Sequence, residues 1–457
     1  MLALLAVPYA SPRLASFRIA PAPWDKSKGD VSVAAVAEAS APTLTQGETS
    51  LRASKNEATV TNALPETTVV DAKALAKSAG TLAIEDPTGH ALDAFYKHLA
   101  KTHAKEKGAV TRVLHYGDSL ITADYISGTM RRKLQSDYGD SGHGFLLIAN
   151  PWEWYFHNDV AHGAGEGWSS SRITGPLAKD GMYGLGGVTF TGSPGASAYF
   201  GTSEKSSYGK RVSRFDIYYL ETPNGGELEV KVAGATERFS TKGDSKKSLK
   251  KSFSVSDGEA KLSLRVVSGN PRLFGVALER DEAGIVYDAL GANGARSELW
   301  STMDATHWAD QMALRDPALV VLQYGTNESE TPFLASEPYE KALRAVVAKV
   351  KAAAPNASIL IASPMDRAES AEGGALRTRP VIKKIVAAQE KVAKDESVAF
   401  WNTYEAMGGE GSMAKWMRTG LGGGDFTHPS PKGAENLGQM FEKALVAGFD
   451  AWRSRPH

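Results

Sequence analysis

The chain has 457 residues, enough for two or three domains with sizeable cores. Its 52 Lys and Arg balance its 52 Asp and Glu, so net charge gives no case for a nucleic-acid partner or an anionic membrane surface. The absence of cysteine excludes disulfides, thiolate metal sites and a cysteine nucleophile together, and suits an oxidising compartment.

Residues 1–10 contain a short apolar run, at the bottom of the ~7–15 residues of a signal-peptide core and far below the ~20 of a membrane span. It reads either as the remnant of an export signal or as a tail. From about Pro21 to Asp86 the chain is rich in Ala, Ser, Thr, Lys and Glu with little apolar periodicity, and a disordered leader or tether is expected over 1–85. Order is expected from Asp86-Pro87. Leu92, Phe95, Tyr96 and Leu99 then share one helical face.

Arg112 to Tyr116 reads as a strand that runs into Gly117-Asp118-Ser119-Leu120. Beyond it Ile126, Met130 and Leu134 recur at helical spacing, with Arg131, Arg132 and Lys133 expected to face water. Ser119 therefore stands where a strand hands over to a helix, close to unpaired amide N–H groups and the positive end of the dipole. A nucleophile whose reaction creates an oxyanion gains from that position. Asp118 is placed to cap the helix.

A glycine-rich turn at residues 138–145 leads into a different texture. From about Pro151 to Arg280, glycines and serines punctuate short alternating runs such as Glu227-Leu228-Glu229-Val230-Lys231-Val232. Pro223-Asn224-Gly225-Gly226 reads as a hairpin turn between two of them. Many short strands with turns between them predict a β-sandwich. From Gly284 short apolar runs alternate with helical patterns, as a parallel sheet covered on both faces requires. The expected organisation is a leader over 1–85, an α/β domain split into 86–150 and 284–457, and an inserted sandwich over 151–283.

Three further loops accompany Ser119: Gly291-Ala292-Asn293-Gly294-Ala295, Gly325-Thr326-Asn327-Glu328, and Asp425-Phe426-Thr427-His428. Each alone reads as a turn, a helix cap or a surface histidine. Parallel sheets gather ligands at the carboxyl ends of their strands, so together the loops are expected to converge.

This combination resembles the SGNH (GDSL-type) hydrolases, whose four blocks supply Ser, Gly, Asn and a paired Asp and His. Gly117-Asp118-Ser119-Leu120 matches the first block and Gly294 the second. Gly325-Thr326-Asn327 matches the third, and Asp425 with His428 the last. Glu328 stands where many members carry Asp. The resemblance implies a three-layer α/β/α, flavodoxin-like domain with a parallel sheet. The first block, the glycine-rich turn and the following β-rich stretch look like the bacterial peptidoglycan O-acetylesterase branch, whose members carry a carbohydrate-binding-module-like insert.

On these residues the resemblance implies a serine nucleophile, Ser119, with His428 as base and Asp425 orienting the imidazole. The Ser119 and Gly294 N–H groups and the Asn327 amide would form the oxyanion hole. No metal or cofactor is called for. The expected partner is an O-acetylated polysaccharide, met in the periplasm or outside the cell. His115 is expected to be packing rather than site, and His143 is open. Trp152, Trp154, Tyr155, Phe156 and Trp168 are expected mostly as core, with sugar stacking the alternative. An O-acetyltransferase with the same triad, or a non-catalytic carbohydrate-binding protein, are the rival readings.

Overall fold

The computed structural model describes residues 71–331 and 337–456. Five parallel strands form its central sheet: β1 (Val110–Gly117), β2 (Gly284–Gly291), β3 (Leu319–Gln323), β4 (Ser358–Ala362) and β5 (Ala399–Trp401). They lie side by side in the order β2-β1-β3-β4-β5. This is the flavodoxin-like order, and it reverses direction between β1 and β3, where such sheets open a crevice at their carboxyl ends.

The strands are apolar throughout because both faces are covered. Leu114, Tyr116, Val320, Leu322, Ile359 and Ile361 face one cluster, joined by helices Ala305–Arg315, Glu337–Ala353 and Pro380–Asp395. Val113, Leu319, Val321, Leu360 and Trp401 face the other, under helices Asp93–His103, Tyr125–Tyr138 and Pro431–Arg453. Alternate residues along each strand thus enter opposite layers, as the two-residue period demands. Trp401 stacks on Phe441 of the C-terminal helix, centroids 4.5 Å apart.

Between β1 and β2 the chain makes two antiparallel sheets. Six strands form the first: Lys247–Gly258, Val212–Glu221, Arg272–Glu279, Val188–Gly192 and Trp168–Arg172 in that order, with Gly144–Leu146 paired to Arg272–Glu279. The second runs Val160–Ala164, Ser197–Thr202, Lys261–Gly269, Gly226–Val232, Ala235–Ser240. Leu262, Leu264 and Val266 alternate with exposed neighbours and join Leu228, Val230, Phe215 and Ile217 in a shared interior. That interior is continuous with the cluster on one face of the parallel sheet. The Pro223–Gly226 turn does not close a hairpin: the strands it joins belong to different sheets, so it carries the chain across the sandwich.

A buried ion cluster fastens the two parts. Arg315 donates to Asp288 of β2 at 2.6 and 2.8 Å and also to Glu279, the last residue of Arg272–Glu279. Arg112 of β1 donates to the same Glu279 at 3.0 Å through two nitrogens. Burial opposes the Glu279 charge, but Arg315 and Arg112 outweigh it and hold the carboxyl far below the usual range.

Two expectations change. The leader was expected to run to residue 85. Residues 1–70 lie outside the described residues, but Ala72–Ser78 is a helix against the C-terminal helix, and Glu85 pairs with Phe400. Arg131, expected in water, is 2% exposed. It donates to both oxygens of Asp124, at 3.2 and 2.7 Å.

Candidate active site

At the end of β1 the chain turns straight into one turn of helix, Ser119–Thr122. Asp118 caps it, its carboxylate accepting the Leu120 N–H at 3.0 Å, as its position in the sequence predicts. The turn lies directly on β2. A Cβ at Gly291 would fall 2.2 Å from the Thr122 nitrogen, so only glycine permits this approach. Asp124 then takes a left-handed conformation (φ 53°) and a second helix begins at Tyr125. The predicted helix is therefore broken in two. Its break is stabilised by the Asp124 carboxylate, which also accepts from Ser127 at 2.7 Å.

The other loops leave neighbouring strands at the same edge. Gly294, beyond β2, has φ +74°, a conformation that disfavours a side chain. Asn327, beyond β3, donates one amide hydrogen to the Ala295 carbonyl at 2.9 Å, and the second finds no acceptor among the described residues. Glu328 ties the same two loops together, accepting from the Ser297 N–H at 2.8 Å and the Gly325 N–H at 3.0 Å. Burial pushes its carboxyl up to about 7, against the hydrogen bond from the Ser297 N–H. The longer side chain at this position thus has a definite task. The Ser119 and Gly294 N–H groups find no acceptor among the described residues.

The final loop brings the imidazole to the serine. Ser119 Oγ lies 2.7 Å from His428 Nε2, and His428 Nδ1 lies 2.5 Å from Asp425 Oδ2. With the proton on Nδ1, Nε2 is the acceptor for the serine hydroxyl. Asp425 is fixed by its own loop, taking the Thr427 and His428 N–H groups at 3.1 and 2.9 Å. The Asp425 hydrogen bond raises the His428 pKa above its ordinary value, against burial. Burial opposes the Asp425 charge in turn, but the His428 side chain and amide outweigh it and hold the carboxyl at about 2. The imidazole and carboxylate are 42% and 53% exposed, so the relay opens to solvent.

Arg367 escaped the sequence reading. Its guanidinium is buried and joins two of the loops. It donates to Thr427 Oγ1 at 3.1 and 3.0 Å, to the Thr326 carbonyl at 3.0 Å, to Ser329 at 2.5 Å and to Glu330 at 2.6 Å. Thr427 stands between Asp425 and His428, so this fork sets where the imidazole sits relative to Asn327. The preceding Pro364-Met365-Asp366 carries no motif that would single Arg367 out.

The remaining candidates divide. His115 is fully buried in β1, 2.9 Å from the Tyr287 hydroxyl and 3.0 Å from Gln323 Oε1, and burial lowers its pKa to about 3. It is packing, as expected. His143 is buried with Nε2 3.2 Å from His157 Nδ1. Tyr155 is core, and Trp152 and Trp168 pack partly buried against it. Trp154 and Phe156, in contrast, are 48% and 50% exposed.

The sequence of residues 254–435 matches the profile of the GDSL-like Lipase/Acylhydrolase family. That span holds Gly294, Asn327, Asp425 and His428, and the hydrogen-bonded Ser119 lies outside it. A solved structure described as a peptidoglycan O-acetylesterase in action superposes with a TM-score of 0.68 at 25% identity, over 79% of this chain and 98% of that one. Over these spans the chain resembles the SGNH, or GDSL-type, hydrolases. A family two carbohydrate esterase from Cellvibrio japonicus matches at 11% identity and a TM-score of 0.25, over 64% of this chain and 99% of that one. An acetyl xylan esterase matches at 17% identity and 0.27, over 35% and 80%. No curated protein matches the sequence. The chain places two antiparallel sheets between the strand that leads to Ser119 and the strand that leads to Gly294.

Proposed function

We propose that this SGNH hydrolase is a serine esterase that removes O-acetyl groups from a polysaccharide outside the cytoplasm, with peptidoglycan the leading substrate. The observation that carries the reading is the hydrogen-bond chain from Ser119 through His428 to Asp425, at 2.7 and 2.5 Å. In this reading Ser119 Oγ attacks the acetyl carbonyl carbon while His428 Nε2 takes the hydroxyl proton. Asp425 holds the Nδ1–H tautomer and stabilises the imidazolium. The oxyanion is met by the Ser119 and Gly294 N–H groups and the uncommitted Asn327 hydrogen. His428 then returns its proton to the departing sugar oxygen, leaving acetyl-Ser119. Water, deprotonated by His428, releases acetate and restores the serine.

The substrate class rests on the likeness to the peptidoglycan O-acetylesterase, which spans nearly all of that protein. Among the described residues no helix is long and apolar enough to cross a membrane. We further assign 86–150 and 284–457 to the hydrolase part and 151–283 to the inserted sandwich. The half-open relay favours water over a sugar as acyl acceptor.

The deciding measurement is acetate released from O-acetylated peptidoglycan by the native chain and by Ser119→Ala, with 4-nitrophenyl acetate as a small-ester control. Release should depend on Ser119. Equal, negligible rates on both esters would remove the esterase assignment. Acetyl appearing on an added sugar acceptor in place of free acetate would turn it into a transferase.

A further inference from the structure

Residues 151–159 form neither helix nor strand and lie as a strap against the serine turn. The Phe156 N–H donates to the carbonyl of Thr122, the last residue of that turn, at 3.1 Å. The Asn158 N–H donates to the Asp124 carboxylate at 2.9 Å, and the Asn158 side-chain amide to the Asp124 carbonyl at 2.8 Å. Arg131, already paired with Asp124, donates to the Asn158 carbonyl at 3.1 Å.

A fixed imidazole stands behind this strap. His143 lies between Gly142 and Gly144, at φ +111° and +100°, and a Cβ at Gly144 would collide with the Asp288 carboxylate of β2. The following Phe145 N–H donates to that carboxylate at 2.8 Å. His143 thus belongs to the framework and His157 to the strap. His143 Nε2 lies 3.2 Å from His157 Nδ1, a contact in which one neutral imidazole donates to the other. His143 Nδ1 is buried and finds no partner among the described residues.

We propose that His143 and His157 form an acid-sensitive latch: neutral, they hold the strap on the serine turn, and uptake of a proton by either one releases it. The latch goes beyond the esterase reading and does not depend on it.

An extra proton has no acceptable place in the closed pair. On His143 it makes Nδ1–H a buried donor without an acceptor. On His157 it forces Nδ1–H toward His143 Nε2, which drives the His143 proton onto the same unpartnered Nδ1. The surrounding charges do not compensate. Asp124 and Arg131, at the start of helix Tyr125–Tyr138 and within it, pair at 2.7 Å, and Asp159 on the strap is answered by Arg132 at 2.7 Å. His162, on the edge strand Val160–Ala164, adds a third imidazole with its centroid 6.1 Å from that of His157. Glu166 lines the same cleft as His157 and His162 but is exposed to solvent. Desolvation lowers the pKa of His143, His157 and His162, His157 to about 3, and the pull of Asp124 on the last two does not match it.

Imidazoles freed with the strap return to a pKa of about 6.5. The closed state is therefore fully held above that pH and weakens as pH falls below it, toward the lower folded values. Between about pH 7.5 and pH 5 the opening equilibrium should rise about 30-fold for each imidazole released.

The test is hydrogen exchange on the full chain at these two pH values, followed in the peptide covering 151–159 and corrected for the intrinsic pH dependence of exchange. Protection of the Phe156 and Asn158 amides should drop at least about 30-fold at the lower pH, while Leu319–Gln323 in the central sheet stays within about threefold. In His143→Gln/His157→Gln the side chains still hydrogen-bond but cannot titrate, so the drop should shrink to about threefold or less. His157→Gln alone, at a partly exposed position, guards against a double variant that fails to fold, and its drop should be at least about tenfold smaller than the native one. Native protection of Leu319–Gln323 verifies folding in each variant. Protection over 151–159 that ignores pH, or that falls as far in the variants as in the native chain, overturns the latch. A chain that hydrolyses no ester yet keeps this pH response loses the esterase reading alone, and a Ser119-dependent esterase without the response loses the latch alone.

Discussion

The imidazole of His428 works as a base only when Nε2 carries no proton, so its environment sets the useful pH range. Its hydrogen bond to Asp425 raises its pKa, hence more of it is protonated at a given pH than for a free histidine. Activity is therefore lost as pH falls through a midpoint above ~6.5. In Asp425→Asn the raising partner is gone, so the acid limb of kcat/KM should move down while the plateau drops about 10³–10⁴-fold from loss of the correct tautomer. A pH–rate series on both proteins checks this, and an acid limb that stays in place would remove Asp425 from the relay. At this scale the site was largely readable. Ser119, Gly294 and Asn327 each stand in a short block just past a strand, and Asp425 and His428 in one just before the last helix, where a few residues identify the local geometry. Arg131 was misread because its neighbours Arg132 and Lys133 look like a solvated face. Its partner Asp124 lies seven residues back on the same side of the helix, a spacing that carries the signal.

The loops that hold these side chains form a linked set. Glu328 connects the Gly294 and Asn327 loops, and Arg367 connects the Asn327 and His428 loops. Neither residue was legible as functional. Their partners are backbone groups, hydroxyls and the Glu330 carboxylate, scattered between residues 297 and 427, and no local pattern announces a contact made only after folding. Arg367 also lowers the His428 pKa by its charge. Arg367→Met should therefore shift the acid limb upward and cut kcat about 10–100-fold with little change in KM. Both effects read positioning rather than lost fold. Arg367→Lys keeps the charge and loses the fork, so its acid limb should stay near the native position while kcat recovers only in part. A Met variant with the native limb would show that Arg367 serves stability alone.

Across the whole molecule, the parallel sheet was recoverable from its apolar runs. The course of the antiparallel strands was less so, because alternation identifies a strand without naming its neighbour. The Pro223–Gly226 turn is the example: its composition fits a hairpin, yet its flanking strands pair elsewhere. The Arg315 cluster joins the two parts through charges that burial leaves costly to separate. Arg315→Met should destabilise the chain by about 3–5 kcal/mol, since Glu279 and Asp288 would be left buried without their main counter-charge. Urea unfolding measures this, and a loss below about 1 kcal/mol would make the cluster marginal.

The order of strands has a temporal side. β1 pairs with β2 along its whole length, but the entire stretch from Gly117 to Gly284 is synthesised in between. During translation the serine strand emerges long before either neighbour exists, carrying Val113, Leu114 and Tyr116 with nothing to cover them. Its native contacts are among the most distant in sequence, so they close late and bear the largest loop-entropy cost. A nascent chain arrested before residue 284 should therefore hold a collapsed antiparallel block while Ser119 remains unassembled, so activity becomes possible only after the last loop, with His428, has left the ribosome.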